Sequence, residues 1–183
     1  MNYGLMGILR PARSRHDGRM NISVIDKFLP AVTIASAIGC GINAGVMFAF
    51  STSIMPGLKT MPAAQAITTM NAFNKAIENP LFLSLFTGTG LVCAAIAVAT
   101  PFADHSGGAL RIAGGALFAV GLFGLTMVVN VPMNNHLMTL DPTAAGSAKE
   151  WADYVSHWTA ANNVRTVAGL ASAALLTLSA IRA

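Results

Sequence analysis

The sequence carries little charge. Only 10% of its 183 residues are Asp, Glu, Lys or Arg, whereas 54% are hydrophobic and the mean hydropathy is +0.60. A soluble domain usually carries about 25% charged residues, so this chain has too few of them to cover a surface that faces water. The composition therefore predicts an integral membrane protein, and the length predicts a single domain.

Cysteines are few, and no cofactor motif is present. Cys40 and Cys93 fall inside apolar stretches without CxxC spacing, which predicts small buried side chains rather than a disulfide or a metal site. His136 and His157 have no carboxylate at metal-ligand spacing, and no phosphate loop, haem motif or flavin fingerprint occurs. We predict no metal and no cofactor, with a haem or metal between the two histidines as a minor alternative.

The positive net charge does not indicate a nucleic-acid partner. The charge of +4 comes from a basic N-terminal run that has no interleaved aromatic residues and no nucleic-acid-binding motif. This run also lacks the apolar core of a signal peptide. Residues 1–27 are therefore predicted to form a basic, disordered tail.

Four apolar segments follow the tail, at residues 29–54, 81–102, 109–131 and 164–181. A helix needs about 20 residues to cross a bilayer, and the shorter fourth segment reaches that length if it begins near Thr159. The pattern predicts an all-α fold, a four-transmembrane-helix bundle over residues 28–183.

The distribution of Lys and Arg predicts the orientation of the bundle. Basic residues are more frequent in the N-terminal tail, the second loop and the C-terminus than in the first and third loops. By the positive-inside rule, both termini are expected in the cytoplasm of a bacterial inner membrane. The first loop would then be an outer loop. Its apolar residues Ala66, Met70, Phe73 and Ile77 recur at helical spacing and predict a short amphipathic helix there.

Several polar side chains are expected near the outer end of the bundle. Asn130 and Asn134 are four residues apart at the end of the third segment, and Trp158, Asn162 and Arg165 share one helix face. Polar groups are costly inside a bilayer, so each needs a reason to be there. One alternative is structural, in which the amides cap and cross-link helices while Arg165 reaches the interface. The other is a pocket for an anion or enolate.

A set of short motifs carries a resemblance to a known family. The motifs are residues 43–51, residues 54–58, Met70-Asn71 with Asn79-Pro80, residues 130–134, and Trp158 with Asn162 and Arg165. In this order they resemble the anthrone-oxygenase-like family of small four-helix membrane proteins. The resemblance covers about residues 43 to 165. Bacterial members often carry a histidine where this chain has Asn163.

The resemblance implies an oxidoreductase that oxidises a hydrophobic phenolic or anthrone-like substrate with O2 and without a cofactor. His136 or His157 would be the base, and Arg165 would stabilise the oxyanion. The expected substrate-binding residues are Asn43, Met47, Phe50, Asn79, Asn130, Asn134, Trp158 and Asn162. The expected partners are membrane lipid and an aromatic or quinone-like small molecule, with a homo-oligomer left open. The alternative is a non-catalytic membrane module that binds a small lipophile or a partner helix.

Overall fold

The computed structural model of the chain describes residues 16–102 and 107–182, and these residues contain helices and no strand. Four helices are long and apolar enough to cross a membrane: Phe28–Lys59, Pro80–Ala99, Gly108–Thr139 and Ser147–Ile181. We call them the first to the fourth span. They confirm the predicted all-α fold with four transmembrane-type helices.

Three of the four spans, the first, third and fourth, are longer than the sequence pattern suggests. Their bounds are His16–Ala49, Met55–Lys59, Ala63–Ile77, Pro80–Ala99, Gly108–Ala116, Val131–Thr139 and Ser147–Ile181, with π-helical segments at Phe50–Ile54, Leu117–Gly124 and Thr126–Asn130 and a 3-10 turn at Thr100–Phe102. The first helix reaches back to His16, into the stretch predicted as a tail, whereas residues 1–15 lie outside the described part of the chain. The fourth span begins at Ser147, well before the predicted start, because its first turns carry the polar residues that the hydropathy pattern excludes.

Two spans continue through a proline. A proline inside a helix cannot donate an amide hydrogen bond, and its ring crowds the carbonyl four residues earlier. A wider π turn directly precedes Pro56 in the first span and Pro132 in the third. Met55 donates its backbone N–H to the Phe50 carbonyl, and Val131 donates its N–H to the Thr126 carbonyl. The wider turn gives the ring room, so the third span continues through Pro132 and beyond the end of the apolar segment at Val131.

The helix Ala63–Ile77, here called the connecting helix, joins the first and second spans. Its buried residues are Ala66, Ile67, Met70 and Asn74, which differ in part from the predicted stripe because Phe73 is 39% exposed. The apolar members of this face join a core cluster with residues from three spans, among them Leu137 and Trp151. The connecting helix therefore covers one end of the bundle. Its position on the outer side of a membrane stays a prediction.

The second and third spans touch closely at one level and separate towards the connecting helix. A Cβ atom on Gly115 would lie 2.5 Å from the Cys93 carbonyl oxygen, and one on Gly90 would lie 2.7 Å from the ring of Phe123. Contacts between these spans are concentrated in the Gly108–Gly124 half of the third span. The two helices therefore form a wedge that opens at the end where the second span begins.

Candidate functional site

A cavity of about 540 Å³ lies in this wedge. Its volume falls within the roughly 300–1,000 Å³ of small-molecule sites. All four spans and the connecting helix contribute to its lining, which consists of Met47, Phe50, Asn74, Ile77, Glu78, Phe82, Leu83, Phe86, Thr87, Phe123, Thr126, Met127, Val131, Asn134, Trp158 and Arg165. Five of the predicted site residues are in this lining, namely Met47, Phe50, Asn134, Trp158 and Arg165.

Arg165 is the positively charged group of the cavity. Its side chain is only 3% exposed, and it makes no ion pair with any Asp or Glu that the structure describes. Nη1 donates to Thr126 Oγ1 at 3.1 Å and Nη2 donates to Asn162 Oδ1 at 2.6 Å. Since a guanidinium has five N–H donors, three remain, including that of Nε, which has no partner. Arg165 is held in place and still has donors for an anionic ligand.

Asn134 contributes a second fixed donor. Its Oδ1 accepts hydrogen bonds from the Tyr154 hydroxyl at 2.9 Å and from Trp158 Nε1 at 2.7 Å. An indole N–H can only donate, so the carbonyl side of the amide must face Trp158. The amide nitrogen is therefore directed away from Trp158, and it donates no hydrogen bond to any of the described residues. Asn134 can thus donate to a ligand in the cavity.

Asn74 and Glu78 bring two further polar groups from the connecting helix. The Asn74 side chain is buried, and its amide nitrogen has no hydrogen-bond partner in the described part of the chain. Glu78 follows the last turn of the helix and is exposed. Its carboxylate makes no ion pair with a described cation. Apart from Arg165, Glu78 is the sole ionisable group in the cavity lining.

The walls of the cavity are aromatic. The ring centroids of Phe86 and Phe123 are 5.0 Å apart, and those of Phe82 and Phe86 are 5.8 Å apart. On the other side Phe50 packs against Trp158 at 5.7 Å, and the Arg165 guanidinium carbon lies 5.3 Å from the centre of the Trp158 ring. Flat apolar faces with a few convergent polar groups are suited to an aromatic ligand that carries oxygen substituents.

The cavity opens sideways between the second and third spans. The lining residues Leu83, Thr87 and Met127 are exposed on these two helices, on either side of the wedge. The connecting helix and its apolar cluster cover the end of the bundle. A ligand dissolved in the hydrocarbon of a bilayer could therefore enter without crossing the polar end of the protein.

Four predicted binding residues lie outside the cavity lining. Asn79 caps the second span by accepting from the Phe82 N–H, and Asn43 donates to the Gly39 carbonyl within its own helix. Asn130 donates to the Trp158 carbonyl, and Asn162 donates to the Met47 carbonyl and to Ser51 Oγ. The amides thus divide between the two alternatives. Asn79 caps a helix, Asn130 and Asn162 cross-link helices and Asn43 bonds its own helix, while Asn134 lines the cavity.

The structure does not bring either predicted histidine to the cavity. The side chain of His136 is 64% exposed, and its Nε2 lies 3.5 Å from the Glu150 carboxylate. His157 is also exposed, with Nδ1 2.8 Å from the Asp153 carbonyl oxygen. Neither belongs to the cavity lining, whereas Asn134 and Trp158, which are close to them in the sequence, do. A role for either histidine as base stays a prediction that this geometry does not support.

Sequence reasoning missed Asn74, Glu78 and Thr126. A signal for the first two was present, since Ile67, Met70 and Asn74 recur at helical spacing and place a polar residue on the buried face of the connecting helix. Glu78 is one turn further along the same face. Thr126 gave no signal, because a hydroxyl in an apolar helix usually bonds its own backbone, as Thr126 also does with Leu122.

Comparison with protein families gives one match over this region. The family model described as anthrone oxygenase matches residues 73–175, which is 103 of the 183 residues. The matched range includes the last turns of the connecting helix and all of the second and third spans, and it extends to Leu175 in the fourth. Comparisons with curated proteins and with solved structures found no match.

Proposed function

Since the chain belongs to the anthrone oxygenase family, we propose that it oxidises a hydrophobic anthrone-like phenol with O2 in the cavity beside Arg165. The observation that carries the proposal is the buried guanidinium, which has unused donors and no acidic partner among the described residues. Burying a lone cation is costly, and an anionic ligand or transition state would offset the cost.

The reaction converts a methylene group to a carbonyl. Loss of the C10 proton from an anthrone gives an enolate whose negative charge lies largely on the ketone oxygen. The carbanionic carbon then forms a bond with O2, proton uptake gives a hydroperoxide, and loss of water leaves the quinone. One O2 is consumed and one water is released for each quinone. Arg165 and Asn134 would hold the oxyanion, because donors fixed in an apolar site stabilise developing charge well.

The position of the opening supports a substrate that arrives through the membrane. Anthrone-like molecules partition into hydrocarbon, and the exposed lining residues Leu83 and Met127 are apolar. We place the protein in a bacterial inner membrane with both termini in the cytoplasm. The basic residues of the N-terminal tail support this orientation.

The test is turnover by detergent-purified protein with 1,8-dihydroxyanthrone in air-saturated buffer. Oxygen uptake and quinone absorbance are measured against the protein-free rate, because anthrones oxidise slowly on their own. We expect the wild type to consume one O2 per quinone at a rate well above background. The oxidation rate of the Arg165→Gln variant should be lower than that of the wild type by at least about 100-fold, which is the usual effect of removing one oxyanion donor.

Lys149→Gln is the matched control, since it removes a cation from the same helix at an exposed position outside the cavity. It should turn over at the wild-type rate. If the wild type binds the anthrone but oxidises it no faster than buffer does, the oxygenase proposal fails and the binding module is the better account. If it neither binds nor oxidises the anthrone, both accounts of this ligand class fail.

A further inference from the structure

The proposed oxidation needs a group that accepts the C10 proton, and the cavity lining restricts the choice. Of its sixteen residues, most are apolar, and the amides, hydroxyls and indole are too weakly basic to take a proton at neutral pH. His136 and His157 are outside the lining. Glu78 is the one lining residue whose side chain is a proton acceptor.

We propose that the Glu78 carboxylate is the general base of this site. The assignment rests on the proposed function, because it concerns the first step of that reaction. The C10–H bond breaks, its proton moves to a Glu78 carboxylate oxygen, and its electron pair delocalises onto the ketone oxygen of the substrate. The carboxylate takes the proton, and the guanidinium of Arg165 stabilises the negative charge that remains on the ketone oxygen.

The surroundings of Glu78 leave its carboxylate available for this step. It makes no hydrogen bond and no ion pair with the described residues, whereas Glu150 and Asp153 on the fourth span both have partners. Glu78 is exposed at the end of the connecting helix, whereas Arg165 is 3% exposed inside the bundle. The end of the connecting helix lies at one end of the bundle, so a proton taken up by the exposed carboxylate can pass on to water between turnovers.

The backbone of Glu78 is fixed at a junction between two helices, as is suitable for a catalytic base. Glu78 ends the connecting helix, and its N–H still donates to the Lys75 carbonyl at 3.3 Å. Asn79 then caps the second span, and Pro80 begins it. Glu78 is therefore held between two helix ends rather than in a free loop, which keeps a catalytic group close to one geometry.

Proton transfer can be measured without oxygen. Under anaerobic conditions 1,8-dihydroxyanthrone is added to purified protein, binding is followed by quenching of tryptophan fluorescence, and enolate formation is followed by its red-shifted absorbance. We expect the wild type to bind the probe and form the enolate. Glu78→Gln should bind it with similar affinity and form the enolate about 100-fold more slowly or not at all.

Three variants serve as controls, of which the first separates a base from a structural residue. Glu78→Asp should recover part of the rate, because a carboxylate remains. Glu150→Gln and His136→Ala alter the exposed pair outside the cavity and should behave as wild type. Replacing the C10 hydrogens by deuterium should slow enolate formation by the wild type, which would show that cleavage of the C10–H bond limits the observed rate.

Two results would overturn the assignment: enolate formation by Glu78→Gln at the wild-type rate, or binding by the wild type without any enolate. Failure of the proposed function looks different. In that case the wild type forms the enolate, Glu78→Gln does not, and admission of air to the wild type gives no quinone beyond the background.

Discussion

Arg165 donates through Nη2 to Oδ1 of Asn162 at 2.6 Å, and Asn162 in turn donates to the Met47 carbonyl oxygen at 2.7 Å. The pair ties the fourth span to the first and fixes one edge of the guanidinium. Thr126 on the third span fixes another through Nη1. The cation is therefore positioned by three helices, and the donors directed at a ligand do not depend on a flexible side chain.

Asn162→Ala should destabilise the protein. It leaves Arg165 Nη2 without its acceptor and removes the bond to Met47, both in a fully buried region. A buried group that loses its partner costs about 1–3 kcal/mol, so the melting temperature in detergent should fall by several degrees. Asn163→Ala changes the adjacent, exposed amide and should melt like the wild type. Equal melting of the two variants would show that the Arg165–Asn162 pair adds no stability.

Asn134→Asp should weaken substrate binding without unfolding the protein. The carboxylate can still accept from Tyr154 and Trp158, but it has no N–H to donate and adds a negative charge beside the expected oxyanion. We expect kcat/KM for the anthrone to fall by about 100-fold. Asn135→Asp makes the same change at the neighbouring exposed position and should have no comparable effect. Similar losses in both variants would point to a general charge effect.

Thr87→Trp should slow substrate entry. Thr87 lies on the exposed side of the wedge between the second and third spans, so a large side chain there would narrow the opening. We expect kcat/KM in proteoliposomes to decrease while kcat at saturating substrate changes little. Val120→Trp places the same side chain on the third span, at a position that is 72% exposed and outside the cavity. If the two variants behave alike, the substrate enters by another route.

Gly169→Ala should destabilise the bundle, whereas Gly45→Ala should not. A Cβ atom on Gly169 would lie 2.8 Å from the Ala44 Cβ and 2.6 Å from Leu122 Cδ1, so the first and fourth spans would have to move apart. Such overpacking usually costs about 1–3 kcal/mol, measurable as a lower melting temperature. A Cβ atom on Gly45 would meet nothing within 4 Å. Loss of self-association in Gly45→Ala would place a second copy against this glycine.

The sequence was sufficient to predict the four helices but insufficient to predict which residues line the cavity. Hydropathy located all four spans, because each apolar segment must satisfy its backbone in a helix. It misplaced their ends at Val131 and Val164, since polar residues continue the third and fourth helices where these pack against each other. An amide in the sequence also gives no sign of whether it faces a cavity or a neighbouring backbone. Asn134 and Asn130 are one turn apart and have different partners.

The same limit explains why Glu78 was overlooked. In the sequence it is one of several charges in the first loop, and its place one turn after Asn74 indicates a helix face without showing that this face meets a cavity. Its position in the cavity follows from the wedge between the second and third spans, and the wedge follows from glycine contacts such as Gly115 against Cys93. These are contacts between residues far apart in the chain, which a local pattern cannot report.

The π-helical segment Thr126–Asn130 changes the rotational phase of the third span. A π turn contains about one residue more than an α turn, and one residue corresponds to about 100° around a helix axis. Without that extra residue, Asn134 would point about 100° away from the indole and phenol groups that fix its amide. The orientation of the Asn134 amide towards the cavity therefore depends on how many residues precede it in the helix as well as on its being an asparagine. A relative with the same asparagine but one residue fewer before it would present that side chain on another face of the helix.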